Sequence, residues 1–314
     1  MIKLNDMETK PSINQPIEIV KAPENYKSKP IKELALPPTV KIIRFFFKNI
    51  SPIFPRFFGK IGWELFQKPF IRAKHRRTDE LLESAEKFQL IHNNHIIKGY
   101  SWGKGAQIVL LVHGWESRGT AMRAFVPHLL KKGFRVVTFD GPAHGSSSGK
   151  KINPFLFAQT ITKMVDTLGS VHSIIGHSFG GFSTAITLSI VSPHIKVERL
   201  VLMAAFSNTL SPIGEFQKFL GFGDKVLNNI LDAAHREIKI DPLKADFRIV
   251  EKPNNVKKAL IVQDLNDDVV AYQNGLDFYK NWKDTKMIQT EGFGHFRILK
   301  ETPVIEKVVD FITS

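Results

Sequence analysis

Residues 171–181 read Val-His-Ser-Ile-Ile-Gly-His-Ser-Phe-Gly-Gly, the most informative stretch of the chain. An apolar, β-branched run ends at Gly176-His177-Ser178-Phe179-Gly180, and a helix-permissive segment follows. That is a G-x-S-x-G elbow in the setting the motif requires: strand, sharp turn, helix. The serine at the tip must take a strained backbone conformation so that its hydroxyl stands clear of the sheet. A β-carbon at Gly176 or Gly180 would collide with the neighbouring strand or helix. Alone, three fixed positions in five residues also fit an ordinary strand–helix turn.

The rest of the chain supplies what such a serine needs. A serine hydroxyl is a weak nucleophile near neutral pH, so it requires a base within hydrogen-bond reach and a third group to orient that base. In elbow-bearing folds the order along the chain is Ser, then Asp or Glu, then His. Residues 257–270 form a strand pattern running into a polar turn that holds Asp264, Asp267 and Asp268. Residues 285–299 form another strand pattern, ending in a loop where Gly292 and Gly294 flank His295. His295 is the candidate base, and the acid is one of the three aspartates; Asp264 suits a turn-capping role through its backbone. Residues 107–115 read Gln-Ile-Val-Leu-Leu-Val-His-Gly-Trp, a strand leading into a loop. The backbone N–H groups of Trp115 and Phe179 are the candidate oxyanion donors, and each such donor contributes about 3–4 kcal/mol to a transition state. Trp115 also suits a core position whose indole N–H finds a partner.

These motifs together resemble an α/β-hydrolase fold serine hydrolase. The matching residues are His113-Gly114-Trp115, Asp140 through Ser147, Gly176 through Gly180, Asp267 and His295, and the resemblance covers about residues 85–314. It implies Ser178 as nucleophile, His295 as base and Asp267 as the acid, with Asp268 as the alternative. It implies cleavage of a carboxylic ester through an acyl-enzyme intermediate, with no cofactor. The same site would serve acyl transfer, or amide or thioester cleavage; a non-catalytic binding protein on this fold is a third reading, against which the intact Ser, Asp and His set argues. Two departures stand out. Ala143 replaces a glycine common in the loop after the second core strand, and Gln263-Asp264 stands where many relatives have His-Gly.

The alternation of strand and helix patterns predicts an α/β fold: a mainly parallel, twisted sheet with helices on both faces. Strands are expected near 107–112, 135–139, 171–176, 198–204, 258–263 and 285–290, and helices near 119–132, 154–168, 179–191, 271–281 and 302–313. A connecting helix is expected over 79–88, and an antiparallel hairpin over 89–102 around Asn93-Asn94. About fifty residues separate the strands at 198–204 and 258–263. Amphipathic spacing there predicts a helical cap insertion over 207–256, as in the family. The hydrolase domain is thus expected over 79–314, after an N-terminal extension, 1–78.

Composition narrows the rest. The 314 residues carry no cysteine, which excludes disulfides and thiolate chemistry, and no metal-ligand spacing is evident. The formal charge is +14, and it is uneven. Between Lys41 and Arg77 there are ten Lys or Arg and eight Phe against one acid, Glu64. Three readings suit residues 39–77, which prolines break into short helices: packing on the body, peripheral contact with an anionic membrane, or nucleic-acid binding. No nucleic-acid module is present, so no nucleic-acid partner is expected; the expected partner is a small ester or lipid-like substrate. Residues 1–38, punctuated by six prolines, read as a poorly ordered arm or a strap over the body. Met1 through Lys10 lacks a signal-peptide pattern and no apolar run spans a bilayer, so a cytoplasmic location is expected.

Overall fold

The computed structural model describes residues 16–23, 37–75 and 78–314. Most of the proline-bearing arm, and Arg76 and Arg77 of the basic segment, lie outside these residues. Nine strands form one sheet: β1 (Glu18–Lys21), β2 (Glu86–His92), β3 (His95–Trp102), β4 (Ile108–Val112), β5 (Arg135–Phe139), β6 (Ser173–His177), β7 (Val197–Met203), β8 (Val256–Asp264) and β9 (Thr285–Glu291). Their spatial order is β1-β9-β8-β7-β6-β4-β5-β3-β2. Every pairing from β1 to β5 is parallel, and β3 and β2 join antiparallel at the far edge.

The central strands are buried on both faces because their side chains alternate between two apolar layers. Ile108, Leu110 and Val112 of β4 enter one core, and Val109 and Leu111 enter the other. The helices are α1 (Pro38–Asn49), α2 (Pro55–Phe66), α3 (Glu80–Glu83), α4 (Phe125–Lys131), α5 (Pro154–Leu168), α6 (Phe179–Ile186), α7 (Leu210–Leu220), α8 (Asp224–Ile238), α9 (Tyr272–Asn281), α10 (Gly294–Arg297) and α11 (Thr302–Thr313). Helices α5, α6 and α9 cover one face of the sheet, and α4 and α11 cover the other.

The expected strands and helices of the core stand at or within a few residues of their predicted places, with three corrections. The helix expected over 79–88 is a single turn, α3, capped by Asp79; from Glu86 the chain pairs with β3 instead, since Phe88 and Leu90 meet partners across the hairpin. The helix expected over 119–132 is a 3-10 turn at Gly119–Met122 followed by α4. Residues 18–21, expected to belong to an arm or a strap over the body, form the edge strand β1 beside β9, where Val20 is buried and Ile19 faces outward. The Asn93-Asn94 turn takes the left-handed conformation at both residues, φ 47° and 60°, which matches the twist of a two-residue hairpin.

A third apolar cluster stands apart from the sheet. Phe47 of α1 and Phe58 and Trp63 of α2 pack with Leu220, Phe222, Val226, Ile230 and Ala234 of the segment between β7 and β8. Gly59 lies so close to α8 that a β-carbon there would sit 2.3 Å from Asn229 Cβ. Trp63 Nε1 donates to Glu237 at 2.6 Å. The N-terminal helices and the β7–β8 segment therefore share one core. Beyond α2 the chain is pinned to the loops at the strand ends. Ile152 N–H donates to the Gln67 carbonyl, the N–H groups of Phe70 and Ile71 donate to Glu116, Arg72 donates to the carbonyls of Ser147 and Gly149, and His75 bonds Asp140.

Candidate active site

Strand β6 ends at His177, and α6 begins at Phe179. Ser178 between them has φ 54° and ψ −124°, a costly conformation for a residue with a side chain. Its N–H donates to the Met203 carbonyl at 2.9 Å, and its carbonyl accepts the Phe182 N–H at 3.0 Å. The flanking glycines are required by close approach, as expected. A β-carbon at Gly180 would lie 2.2 Å from the His113 carbonyl oxygen, and one at Gly176 would lie 2.7 Å from Gly181 Cα.

Asp267 follows β8, and His295 follows β9. His295 Nδ1 lies 2.8 Å from Asp267 Oδ2, and both side chains are fully buried. Asp267 also accepts the N–H groups of Val269 and Val270, at 2.9 and 2.8 Å, and Gln263 Nε2 at 3.2 Å. A carboxylate partner makes Nδ1 the protonated nitrogen and leaves Nε2 as an acceptor. Asp268 is exposed. Asp264 caps its turn through the Asn266 N–H and also accepts Thr290 Oγ1 and the Phe293 N–H, so it fixes the loop that carries His295.

Ser178 and His295 line the same cavity, of about 700 Å³. No hydrogen bond joins Ser178 Oγ to the His295 ring among the described residues; in free enzymes such contacts often tighten only when substrate binds. The backbone between them is tied. His177 Nε2 donates to the His295 carbonyl at 2.9 Å, and the two rings lie 4.7 Å apart.

The loop after β4 presses against Ser178. A β-carbon at Gly114 would sit 3.1 Å from Ser178 Cβ. Two histidines lock this loop to the one after β5. His113 donates from Nδ1 to the Gly114 carbonyl and accepts the Gly141 N–H at Nε2, at 2.7 and 2.9 Å. His144 donates from Nδ1 to the Pro142 carbonyl and accepts the Glu116 N–H at Nε2, both at 2.9 Å. The rings of Trp115 and Phe179 meet edge to face at 5.2 Å. Their backbone N–H groups donate to no acceptor among the described residues, which leaves two main-chain donors next to Ser178. Burial lowers the pKa of His113, and it lowers that of His144 to about 3, with the His113 charge adding to the effect. His177 is held well below its ordinary value by burial and then by His295. His113 and His144 each accept an N–H at Nε2, which requires the neutral ring, and burial disfavours the charged form of His177.

Ser178 also lines a second cavity, of about 250 Å³. Its walls are mostly apolar, with Leu65, Phe66 and Phe70 from the N-terminal segment, Phe206 after β7, and Pro212 and Phe216 of α7, and Lys68 and Glu215 also line it. The two cavities share Trp115, Ser178 and Val269. The sequence reading missed two contributions. The basic aromatic segment furnishes pocket wall, and Gln263 supports Asp267, an amide where the family pattern has histidine. Ala143, the other departure, has φ 62°, the left-handed region that explains the family's glycine.

Comparison with known proteins gives these elements a common frame. Residues 107–237 match a family model described as alpha/beta hydrolase fold. An esterase of Pyrococcus furiosus superposes with a TM-score of 0.58 at 19% identity, covering 77% of this chain and 97% of the esterase. The chain has the α/β-hydrolase fold. Alpha/beta hydrolase domain-containing protein 10 from mouse superposes with a TM-score of 0.57 at 16% identity, over 73% of this chain and 97% of the mouse protein. A serine hydrolase-like protein from Dictyostelium discoideum is 30% identical over 115 residues, 34% of this chain. The match spans 31%, about a third, of that relative's length. In α/β-hydrolase terms, Ser178 occupies the elbow, and the Asp267–His295 pair stands on the loops after the last two parallel strands.

Two outcomes follow from this packing. Gly180→Ala should lower stability by about 3 kcal/mol or more, because the colliding atom is backbone. Gly214→Ala, on α7 where a β-carbon meets nothing within 4 Å, should raise it by about 0.5–1 kcal/mol. Urea midpoints of the two variants check both signs. The neutral histidines set the second outcome. They take up protons near pH 6.5 only when unfolded, so the unfolded chain binds more protons below that pH. Stability should therefore fall as pH drops from about 6.5, by up to about 1.4 kcal/mol per pH unit for each ring. His144→Gln, which keeps an acceptor for the Glu116 N–H, should flatten that slope by one ring's share. An unchanged slope would contradict a neutral His144.

Proposed function

We propose that this chain is a serine hydrolase that cleaves carboxylic esters of apolar acyl groups through an acyl-enzyme intermediate. One observation carries the reading: Ser178 stands at the junction of a mostly apolar cavity and a second cavity lined by His295, whose Nδ1 is paired with the buried Asp267 carboxylate. Ser178 Oγ attacks the acyl carbon, and His295 Nε2 takes its proton. Asp267 keeps the proton on Nδ1 and stabilises the imidazolium that forms. The N–H groups of Trp115 and Phe179 receive the developing oxyanion. The ester C–O bond breaks as Nε2 returns the proton to the leaving alcohol, which departs through the larger cavity. Water then attacks the acyl-enzyme, again losing its proton to His295, and the carboxylic acid and free Ser178 result.

The neutral histidines fit this scheme. His113, His144 and His177 are spent on fixed hydrogen bonds, so His295 is the ring free to cycle its proton at Nε2. The cap over this site is a joint one. The segment 207–256 contributes Pro212 and Phe216, and the extension 1–78 contributes Leu65, Phe66 and Phe70 to the acyl wall. The chain thus divides at about residue 78 in sequence, but its acyl pocket is built from both sides of that division.

Turnover of p-nitrophenyl esters tests the scheme. Ser178→Ala should lose at least 10³-fold in kcat and should fail to react with a fluorophosphonate probe. Full turnover by Ser178→Ala would refute the assigned nucleophile, and absence of probe labelling in the unmodified chain would favour a binding protein. Leu65→Trp fills the apolar cavity, so the longest acyl chains should lose at least tenfold in kcat/KM while acetate esters keep theirs. An unchanged chain-length profile would place the acyl group elsewhere.

A further inference from the structure

We propose that the α1–α2 hairpin is a docking surface for an anionic lipid bilayer. The helices are apolar on more than the face that the fold uses. Ile43 and Phe47 of α1 and Ile50 just beyond its end face the cluster shared with α7 and α8, and Phe58 and Trp63 do so from α2. That inner stripe is enough to hold the hairpin in place. Yet Ile42, Phe45 and Phe46, spaced i, i+3, i+4 on α1, are 57%, 58% and 47% exposed. Ile53 and Phe54 in the turn and Phe57 on α2 are 67%, 58% and 60% exposed. Six large apolar side chains on one hairpin are more than scattered surface residues, and nothing in the described structure covers them.

Charge identifies the occupant. Lys41, Lys48, Arg56 and Lys60 are exposed on the same two helices, and none of them is ion-paired among the described residues. Arg44 lies over the Phe219 ring of α7, 5.7 Å from its centroid. The one acid on the hairpin, Glu64, is neutralised by Lys151. Aromatic and aliphatic side chains interleaved with unpaired cations suit the boundary of an anionic membrane, where rings enter the acyl region and ammonium and guanidinium groups meet headgroups. A nucleic acid would use the cations but offers nothing to Ile42 and Ile53. A second copy of this chain would bring a like charge to the face. Among the described residues no helix is long and apolar enough to cross a membrane, so the contact is peripheral. The placement has a consequence for substrate. Helix α2 is one continuous element with Phe57 at its outer end and Leu65 and Phe66 in the acyl cavity, roughly 14 Å apart along the axis.

Vesicle flotation tests the proposal without depending on the reaction. The full chain should float with phosphatidylcholine vesicles that contain phosphatidylserine. Its partition should drop at least tenfold on plain phosphatidylcholine or in high salt. The triple variant Ile53→Ser, Phe54→Ser, Phe57→Ser and the quadruple variant Lys41→Glu, Lys48→Glu, Arg56→Glu, Lys60→Glu should each lose at least tenfold. Both should keep the thermal melting point and the turnover of a water-soluble short ester, because these side chains line neither cavity. Ser178→Ala should float like the unmodified chain, which separates this surface from the assignment of the nucleophile. Equal flotation of all variants, or no flotation of the unmodified chain, would overturn the proposal. So would a concentration-dependent dimer that the triple serine variant abolishes.

Discussion

The structure depends on one close approach: the backbone of Gly180, at the start of α6, against the carbonyl oxygens of Val112 and His113 at the end of β4. No side chain fits between them. That contact sets the elbow, with Ser178 at φ 54°, against the end of the neighbouring strand, and leaves little room for a β-carbon at Gly114 beside the serine. The two backbone N–H groups proposed for the oxyanion come from the two segments so joined, so their spacing is a property of the sheet. The cost of strain at Ser178, of order 1–3 kcal/mol, is offset by the buried strands on either side.

The polar groups around this contact divide into holders and one candidate actor. His113 and His144 lock the loops after β4 and β5 together, and His177 holds the backbone of His295. Each is neutral because burial makes the charged form costly. Asp264 and Gln263 serve the acid loop in the same manner, Asp264 by gripping the chain before His295 and Gln263 by donating to Asp267. A histidine at position 263 could also donate to the carboxylate. Glutamine does so through a neutral amide, Nε2 to Asp267 Oδ2, which is a physical reason why the departure from the family pattern is tolerated.

What the sequence made legible was what backbone sterics dictate. Gly176 and Gly180 pointed to the elbow, the buried-type runs pointed to the parallel strands, and the glycines around His295 pointed to a loop over the strand ends. Asp267 was legible only through the family's spacing, since three aspartates share its turn and local patterning does not say which faces a histidine twenty-eight residues later. The pocket wall was not legible, because Leu65, Phe66 and Phe70 reach Ser178 through packing of α2 on α8, a contact set by Gly59 and Gly62 with no local signature. The strand β1 was hidden for a related reason. Four residues between prolines carry too short an alternation to stand out, and only the free edge of β9 makes them a strand. The helix expected over 79–88 failed because Phe88 and Leu90 have cross-strand partners, and pairing outweighs a weak helical preference.

The account turns on whether Ser178 becomes acylated. Rapid mixing with a p-nitrophenyl ester, acid quenching within the first turnover, and peptide mass analysis measure this directly. The account predicts an initial burst of nitrophenol and an acyl group on Ser178. Steady release without a burst is compatible only if the adduct is still found there. An adduct on another residue, or hydrolysis with no adduct at any time point, would contradict it.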